Sequence, residues 1–169
     1  MVPGMRLIRQ VELFRKKLPL KEPYRLSFGN LNAFESLFVL IHTDDTLGLG
    51  EATPLPGYNA ETMRSVEHFA REWGPVLLRK DVEEARDIIT LQRGEDFFAA
   101  SAFLVALDLL EGRFELHEKV SSIPLVVHLD LSEKKRTVHK LKEAVAQGSR
   151  MFKTKIGRNI LEEAASINR

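Results

Sequence analysis

The chain opens on a mixed alternation of apolar and charged residues, Arg6-Leu-Ile-Arg-Gln-Val-Glu-Leu-Phe-Arg-Lys-Lys-Leu18. That period suits a strand with one wet face, and Pro19 and Pro23 are expected to end it. A second apolar run follows from Phe34 to Thr43, then Asp44-Asp45, then Leu47-Gly48-Leu49-Gly50-Glu51, which reads as a hairpin. The first fifty residues are therefore expected to form a small antiparallel meander. From Asn59 the period lengthens: Met63, Val66, Ala70, Trp73 and Leu77 recur at spacings of three and four and share one helical stripe. A second helix is expected over Val82 to Leu91. A third, capped by Asp96, should run from Phe97 to Leu110 and is apolar almost all round, so it should be buried between layers.

The pattern changes again near Ser121-Ser122. Ile123 to Leu129 is a continuous apolar run, the mark of a strand covered on both faces. Ser132 is placed to cap a helix lined by Val138, Leu141 and Val145, with Gly148 at its C-terminal cap. Met151 to Ile156 then reads as a strand, Gly157-Arg158-Asn159 as a turn, and Ile160 to Asn168 as a further helix. Strand, helix, strand, helix implies a parallel crossover unit. The simplest partition is an α+β domain over residues 1–112, an antiparallel meander plus helices, followed over residues 113–169 by the first β/α units of a larger repeating architecture. Two parallel strands do not close a core, so the second part needs further strands.

Composition narrows the function classes. The 169 residues are 44% hydrophobic and 29% charged, ordinary for a soluble globular protein. The formal net charge is +1 with the signs interspersed, so there is no basic field to draw a nucleic-acid backbone or an anionic membrane. The basic clusters Lys16-Lys17 and Lys134-Lys135-Arg136 carry no interleaved aromatic platform and read as solvated faces. The absence of cysteine excludes disulfides and thiolate chemistry. No apolar stretch near the start suits a signal peptide, and the run from Phe97 to Leu110 is too short to cross a bilayer, so a cytoplasmic location is expected.

The chemistry that stands out is a pair of lysines. On a strand, Met151, Lys153 and Lys155 share one face and Phe152, Thr154 and Ile156 the other. The apolar face has a packing role; the lysines then point to the opposite side, which in a closed barrel is the interior near the C-terminal strand ends, where such folds keep their chemistry. Two residues along a strand span roughly 7 Å. At an effective dielectric of ~20, two ammonium charges that far apart repel by roughly 2 kcal/mol. Repulsion of that size favours the proton-accepting form of one amine. Taken alone, Lys-x-Lys reads first as a solvated strand face, and it is the placement in a second parallel strand that singles the pair out. Other candidates are weaker. Gly48-Leu49-Gly50-Glu51 has the start of a phosphate loop but no following helix, and is read as a turn. His42, His68, His117, His128 and His139 show no metal-ligand spacing with one another, and Ser27 and Ser101 lack a nucleophile-elbow context.

Several segments together resemble a known family. Pro23-Tyr24-Arg25-Leu26-Ser27-Phe28-Gly29, Gly48-Leu49-Gly50-Glu51-Ala52, Pro54 and Tyr58-Asn59-Ala60-Glu61-Thr62 resemble the capping domain of enolase-superfamily enzymes. Ala99 to Leu110, ending in Ala106-Leu107-Asp108-Leu109-Leu110-Glu111-Gly112, resembles the buried helix before the family's barrel. Phe152-Lys153-Thr154-Lys155-Ile156-Gly157 is similar to the lysine strand of the muconate-lactonizing subgroup. The resemblance implies an N-terminal capping domain leading into an incomplete TIM-type barrel. It implies Lys155 as the acid/base lysine and Lys153 as its electrostatic neighbour. It also implies loops around Ser27, Phe28 and Asn30 and around Leu55 and Tyr58 that shape substrate specificity.

By the same resemblance the substrate is a small carboxylate, and a proton next to the carboxylate is removed to give an enediolate that Mg2+ stabilises in the complete family enzyme. The family's metal ligands lie on later barrel strands, so the chain is expected to carry no recognisable metal site, to be the front portion of such an enzyme, and to be inactive alone. Synthesis of o-succinylbenzoate, epimerisation of dipeptides and cycloisomerisation are the reactions implied. Self-association into a homo-oligomer stays open. A rival of another class is a non-catalytic α+β interaction module that associates through an open barrel edge; a rival within enzymes is a Schiff-base aldolase using Lys155.

Overall fold

The computed structural model of the chain describes residues 6–26, 29–112, 123–131, 134–155, 161 and 164–165. The chain divides into two compact units, Met1–Leu116 and His117–Arg169.

In the first unit, β1 (Gln10–Leu26), β2 (Gly29–His42) and β3 (Leu47–Ala52) form an antiparallel sheet in the order β1-β2-β3. The prolines do not end β1 as expected. The strand runs through both, pairing Pro19 with Ala33 and resuming at Tyr24 with Leu31 after a register shift. This is tolerated because β1 is an edge strand, where a missing N–H breaks no second ladder, and a bulge absorbs the extra residues. The β2–β3 hairpin is closed as expected at Asp44-Asp45: Thr43 N–H donates to Thr46 O at 2.9 Å, and Arg9 grips Asp44 with two bonds of 2.8 and 2.7 Å.

Alternation assigns Leu37, Val39 and Ile41 of β2 to the core face, paired with Ala52, Gly50 and Gly48 of β3. The two glycines are therefore strand residues and not a turn. Their role is steric: a Cβ on Gly48 would stand 1.9 Å from Ala106 O, and one on Gly50 would stand 1.7 Å from Ala102 O. The strand lies directly on the helix backbone, an approach only glycine permits.

That helix is the third of the unit. α1 (Met63–Trp73) starts at Thr62, whose side chain accepts from Ser65 N–H while Ser65 Oγ accepts from Thr62 N–H, a reciprocal cap. α2 (Val82–Gln92) and α3 (Phe97–Glu111) follow. α3 packs against β2, β3, α1 and α2, and buries Ala99, Ala102, Phe103, Ala106, Leu107 and Leu110. Phe103 meets Phe69 of α1 edge-on at 6.0 Å between ring centres. The expected cap of α3 is replaced. Asp96 makes no side-chain cap, and the buried carboxylate of Glu61 takes the Phe98 N–H at 2.7 Å and the Ala99 N–H at 3.2 Å instead. At the far end Gly112 adopts φ +66 and Arg6 donates to Leu110 O.

The second unit is a parallel pair, β4 (Val126–Leu129) and β5 (Met151–Thr154), joined through α4 (Lys134–Ala146). α4 ends as expected: Gly148 is at φ +92, its N–H donates to Val145 O at 3.0 Å, and Ser149 N–H donates to Ala144 O at 2.9 Å. These are the two bonds of a Schellman motif. The cap expected from Ser132 lies outside the described residues, as do the turn at 157–159 and nearly all of the last expected helix. Among the described residues no helix is long and apolar enough to cross a membrane.

Candidate functional site

The two strands of the second unit share a clear division of faces. Leu129 is buried and Val127, Phe152 and Thr154 are half-buried, and α4 packs on β4 with Ala144 buried. On the other side Val126, His128, Met151, Lys153 and Lys155 are exposed. The expectation that β4 is covered on both faces is therefore corrected. Val126 is 53% exposed, because the helix covers only one side of a two-stranded sheet. The alternation on β5 itself is as expected for Met151 and Lys153, exposed, against Phe152 and Thr154, half-buried; the strand ends at Thr154, and Lys155, also exposed, follows directly after it.

Register adds a residue that the lysine pattern did not include. In the parallel ladder Val126 stands beside Met151, Val127 beside Phe152, His128 beside Lys153 and Leu129 beside Thr154. His128 therefore belongs to the lysine face. The strand ends are tied there by Thr154 Oγ1, which donates to Leu129 O at 3.0 Å. The imidazole feels this surrounding. Its pKa is lowered first by desolvation, then by the charges of Lys155 and Lys140, with Lys153 adding in the same direction and Asp130 opposing. The signal was available in the sequence: on a strand ending at Leu129, His128 alternates away from Val127 and Leu129. The continuous apolar run obscured it, because such a run hides which face is which.

The face is graded along the strands. Val126 and Met151 make its N-terminal end apolar, while Lys153 and Lys155, with His128 beside them, bring positive charge to its C-terminal end, where Asp130 is the opposing charge. A carboxylate is the chemical group such an end receives best.

The expected specificity residues belong to the first unit. Asn30 is exposed on β2, opposite Arg25 in the hairpin register; Ser27 and Phe28 lie outside the described residues. Leu55 and Tyr58 share one turn, in which Tyr58 N–H donates to Leu55 O at 2.9 Å and Gly57 takes φ +93. Tyr58 projects from it, 78% exposed.

A second polar group in the first unit was not anticipated. Ser36, fully buried, donates to Glu51 Oε1 at 2.7 Å, and Thr53 Oγ1 reaches the same oxygen at 2.9 Å and Ser36 Oγ at 2.7 Å. Glu51 and Thr53 line a cavity of about 460 Å³ with Phe98 and Ser101. The described histidines of the first unit and of α4 each face one glutamate: His42 with Glu12, His68 with Glu72, His139 with Glu143. Among the described residues no group of three or more His, Asp or Glu side chains gathers to hold a metal. The described residues thus do not form a Mg2+ site.

Comparison with known proteins bears on both units. The MenC N-terminal domain model matches residues 8–94. The L-Lys-D/L-Arg epimerase of Desulforapulum autotrophicum is 25% identical over 96% of this chain and 49% of its own length. The o-succinylbenzoate synthase of Pectobacterium atrosepticum is 35% identical over 38% of this chain and 20% of its own length. Among solved structures, the dipeptide epimerase of Enterococcus faecalis, complexed with Mg and the dipeptide L-Leu-L-Tyr, superposes with a TM-score of 0.81 at 21% identity. It covers 96% of this chain and 49% of that one, and at this identity the likeness is one of fold. The chain spans about half the length of either epimerase.

Proposed function

Because this chain belongs to the MenC N-terminal domain family, matched over residues 8–94, we propose that it supplies the capping domain and the opening strands of an enzyme that removes a proton next to a carboxylate. Lys155 is the proton carrier and Lys153 its electrostatic neighbour. The observation that carries this reading is the exposure of Lys153 on β5, the second strand of a parallel unit, and of Lys155 in the residue just past that strand's C-terminal end.

In the proposed step the unprotonated Lys155 amine takes the proton from the carbon beside the carboxylate and becomes an ammonium. The electron pair of the broken C–H bond passes into the carboxylate, giving an enediolate. Lys153 lowers the cost of that charge by standing near it as a cation. Delivery of a proton to the opposite side of the carbon, by a second acid that the complete enzyme supplies, gives the epimer and leaves Lys155 protonated; loss of the hydroxyl from the neighbouring carbon, which takes the Lys155 proton and departs as water, gives dehydration. Mg2+ accompanies the dipeptide in the Enterococcus faecalis structure, but the described residues here form no site for it, and no step is assigned to it.

The substrate is a small carboxylate. Dipeptides come first among candidates, because the match to the epimerase runs along 96% of the chain, against 38% for the o-succinylbenzoate synthase. The parent activity needs strands in addition to β4 and β5, so the 169-residue chain is proposed to be inactive alone. The test is solvent deuterium incorporation at the α-carbon of lysine- and arginine-containing dipeptides, followed by NMR. The chain alone should show no exchange. Co-folded with the C-terminal half of the Desulforapulum autotrophicum epimerase it should show exchange that Lys155→Met removes. Exchange that survives Lys155→Met overturns the assignment.

A further inference from the structure

The register of the parallel ladder places His128 directly beside Lys153, on the same open face and one strand away. Neighbouring strands lie ~4.8 Å apart, so the imidazole and the long lysine side chain are within reach of one another. We propose that His128 is the third functional side chain of the lysine face, a positioning residue that accepts a hydrogen bond from the Lys153 ammonium and holds it toward the position a ligand carboxylate takes beside Lys155. This rests on the reading of the lysine pair given above and deepens it.

Three observations converge. First, His128 and Lys153 are partners in a sheet whose C-terminal ends are tied by the Thr154–Leu129 side-chain bond, so their relative position is set by backbone geometry. Second, the other side chains on this face are the apolar Val126 and Met151, at the opposite end of the strands, and at the near end Lys155 and the carboxylate of Asp130, each one residue past its strand. His128 is the group there that can accept a hydrogen bond as a neutral base. Third, the charges around it favour that state. Lys153 on β5, Lys155 just past it and Lys140 on α4 all oppose protonation, desolvation adds to them, and Asp130, one residue past the strand of His128, pulls the other way.

The consequence is a pH-dependent arrangement. Above the His128 midpoint the neutral ring offers a nitrogen lone pair to the Lys153 ammonium. Below it, an imidazolium faces two lysines, the hydrogen bond is lost and like charge drives Lys153 away. The folded-state affinity of His128 for its proton is lowered, so this loss sets in below the ordinary histidine range of about 6.5.

The experiment is an NMR titration of the whole 169-residue chain, following the His128 ring and the Lys153 ε-methylene signals. His128 should titrate below the ordinary histidine value, and the Lys153 signals should step at that same midpoint. Lys153→Met combined with Lys155→Met should move the His128 midpoint upward. His128→Gln, whose amide oxygen still accepts, should keep the Lys153 signals at their neutral-pH positions and abolish the step; His128→Phe should move them to those of a free lysine. Lys153 signals that stay flat through the His128 titration overturn the proposal, as does a midpoint indifferent to the lysine substitutions. Turnover is not read, so the positioning role and the proton-transfer role of Lys155 can fail separately.

Discussion

The Glu61 carboxylate accepts the backbone N–H of Phe98 at 2.7 Å, so the first turn of α3 is capped by a residue that precedes α1. Its second oxygen takes the Ala99 N–H at 3.2 Å. The arrangement satisfies two of the orphan donors at a helix start and sets negative charge where the helix dipole favours it. It also pins the loop carrying Leu55 and Tyr58 to the buried helix.

Glu61→Ala should leave buried N–H groups without a partner and destabilise the first unit by about 1–3 kcal/mol. Asp96→Ala, at the position with no side-chain cap, should cost little. Urea denaturation of both variants checks the contrast, and equal losses would show that Asp96 shares the role.

Gly50→Ala would drive a Cβ to 1.7 Å from Ala102 O, a contact with backbone that no rotamer relieves. The strand must lift off α3, at a cost of about 1–3 kcal/mol or more. Gly48→Ala should behave alike, since its Cβ would meet Ala106 O at 1.9 Å. Thermal melting should drop sharply for both, whereas Lys16→Ala on the exposed part of β1 should stay within about 0.5 kcal/mol of the parent.

Arg9 holds the Asp44 carboxyl below its usual range, chiefly through their hydrogen bond and then through charge. A depressed folded-state value means the contribution is present above the ordinary carboxylate pKa and is lost as pH falls through the folded one. Both groups are exposed, so the effect is local. The protection of the Thr43 amide, measured as exchange relative to its intrinsic rate at each pH, should fall on acidification, and high salt or Asp44→Asn should blunt that pH response.

In the co-folded enzyme, Lys155→Met should reduce α-carbon exchange by at least ~100-fold, the scale of a lost general base. Lys153→Met should also lower the rate, with Lys153→Arg recovering part of it by restoring the charge. Circular dichroism of each variant separates lost chemistry from lost fold, since both lysines are exposed.

What the linear pattern settled was local. The helical stripe of Met63, Val66, Ala70, Trp73 and Leu77, the Asp44-Asp45 hairpin, the Gly148 cap and the alternation on β5 all depend on spacings of a few residues, which periodicity reports directly. They stand in the structure at their expected places, except that α1 ends at Trp73 and Leu77 lies in a separate 3-10 turn, Pro75–Leu77. What only tertiary packing decided were relations between distant positions. Proline within β1 is admissible because that strand ends up at the sheet edge. Gly48 and Gly50 belong to a strand because a helix backbone more than fifty residues later lies against them. Glu61 displaces Asp96 as a cap because folding brings it to the start of α3. His128 joins the lysines through ladder register alone. Local preference is a property of neighbouring residues and can be read along the chain, whereas the partner of a strand face or a helix end is chosen by whatever the fold delivers there.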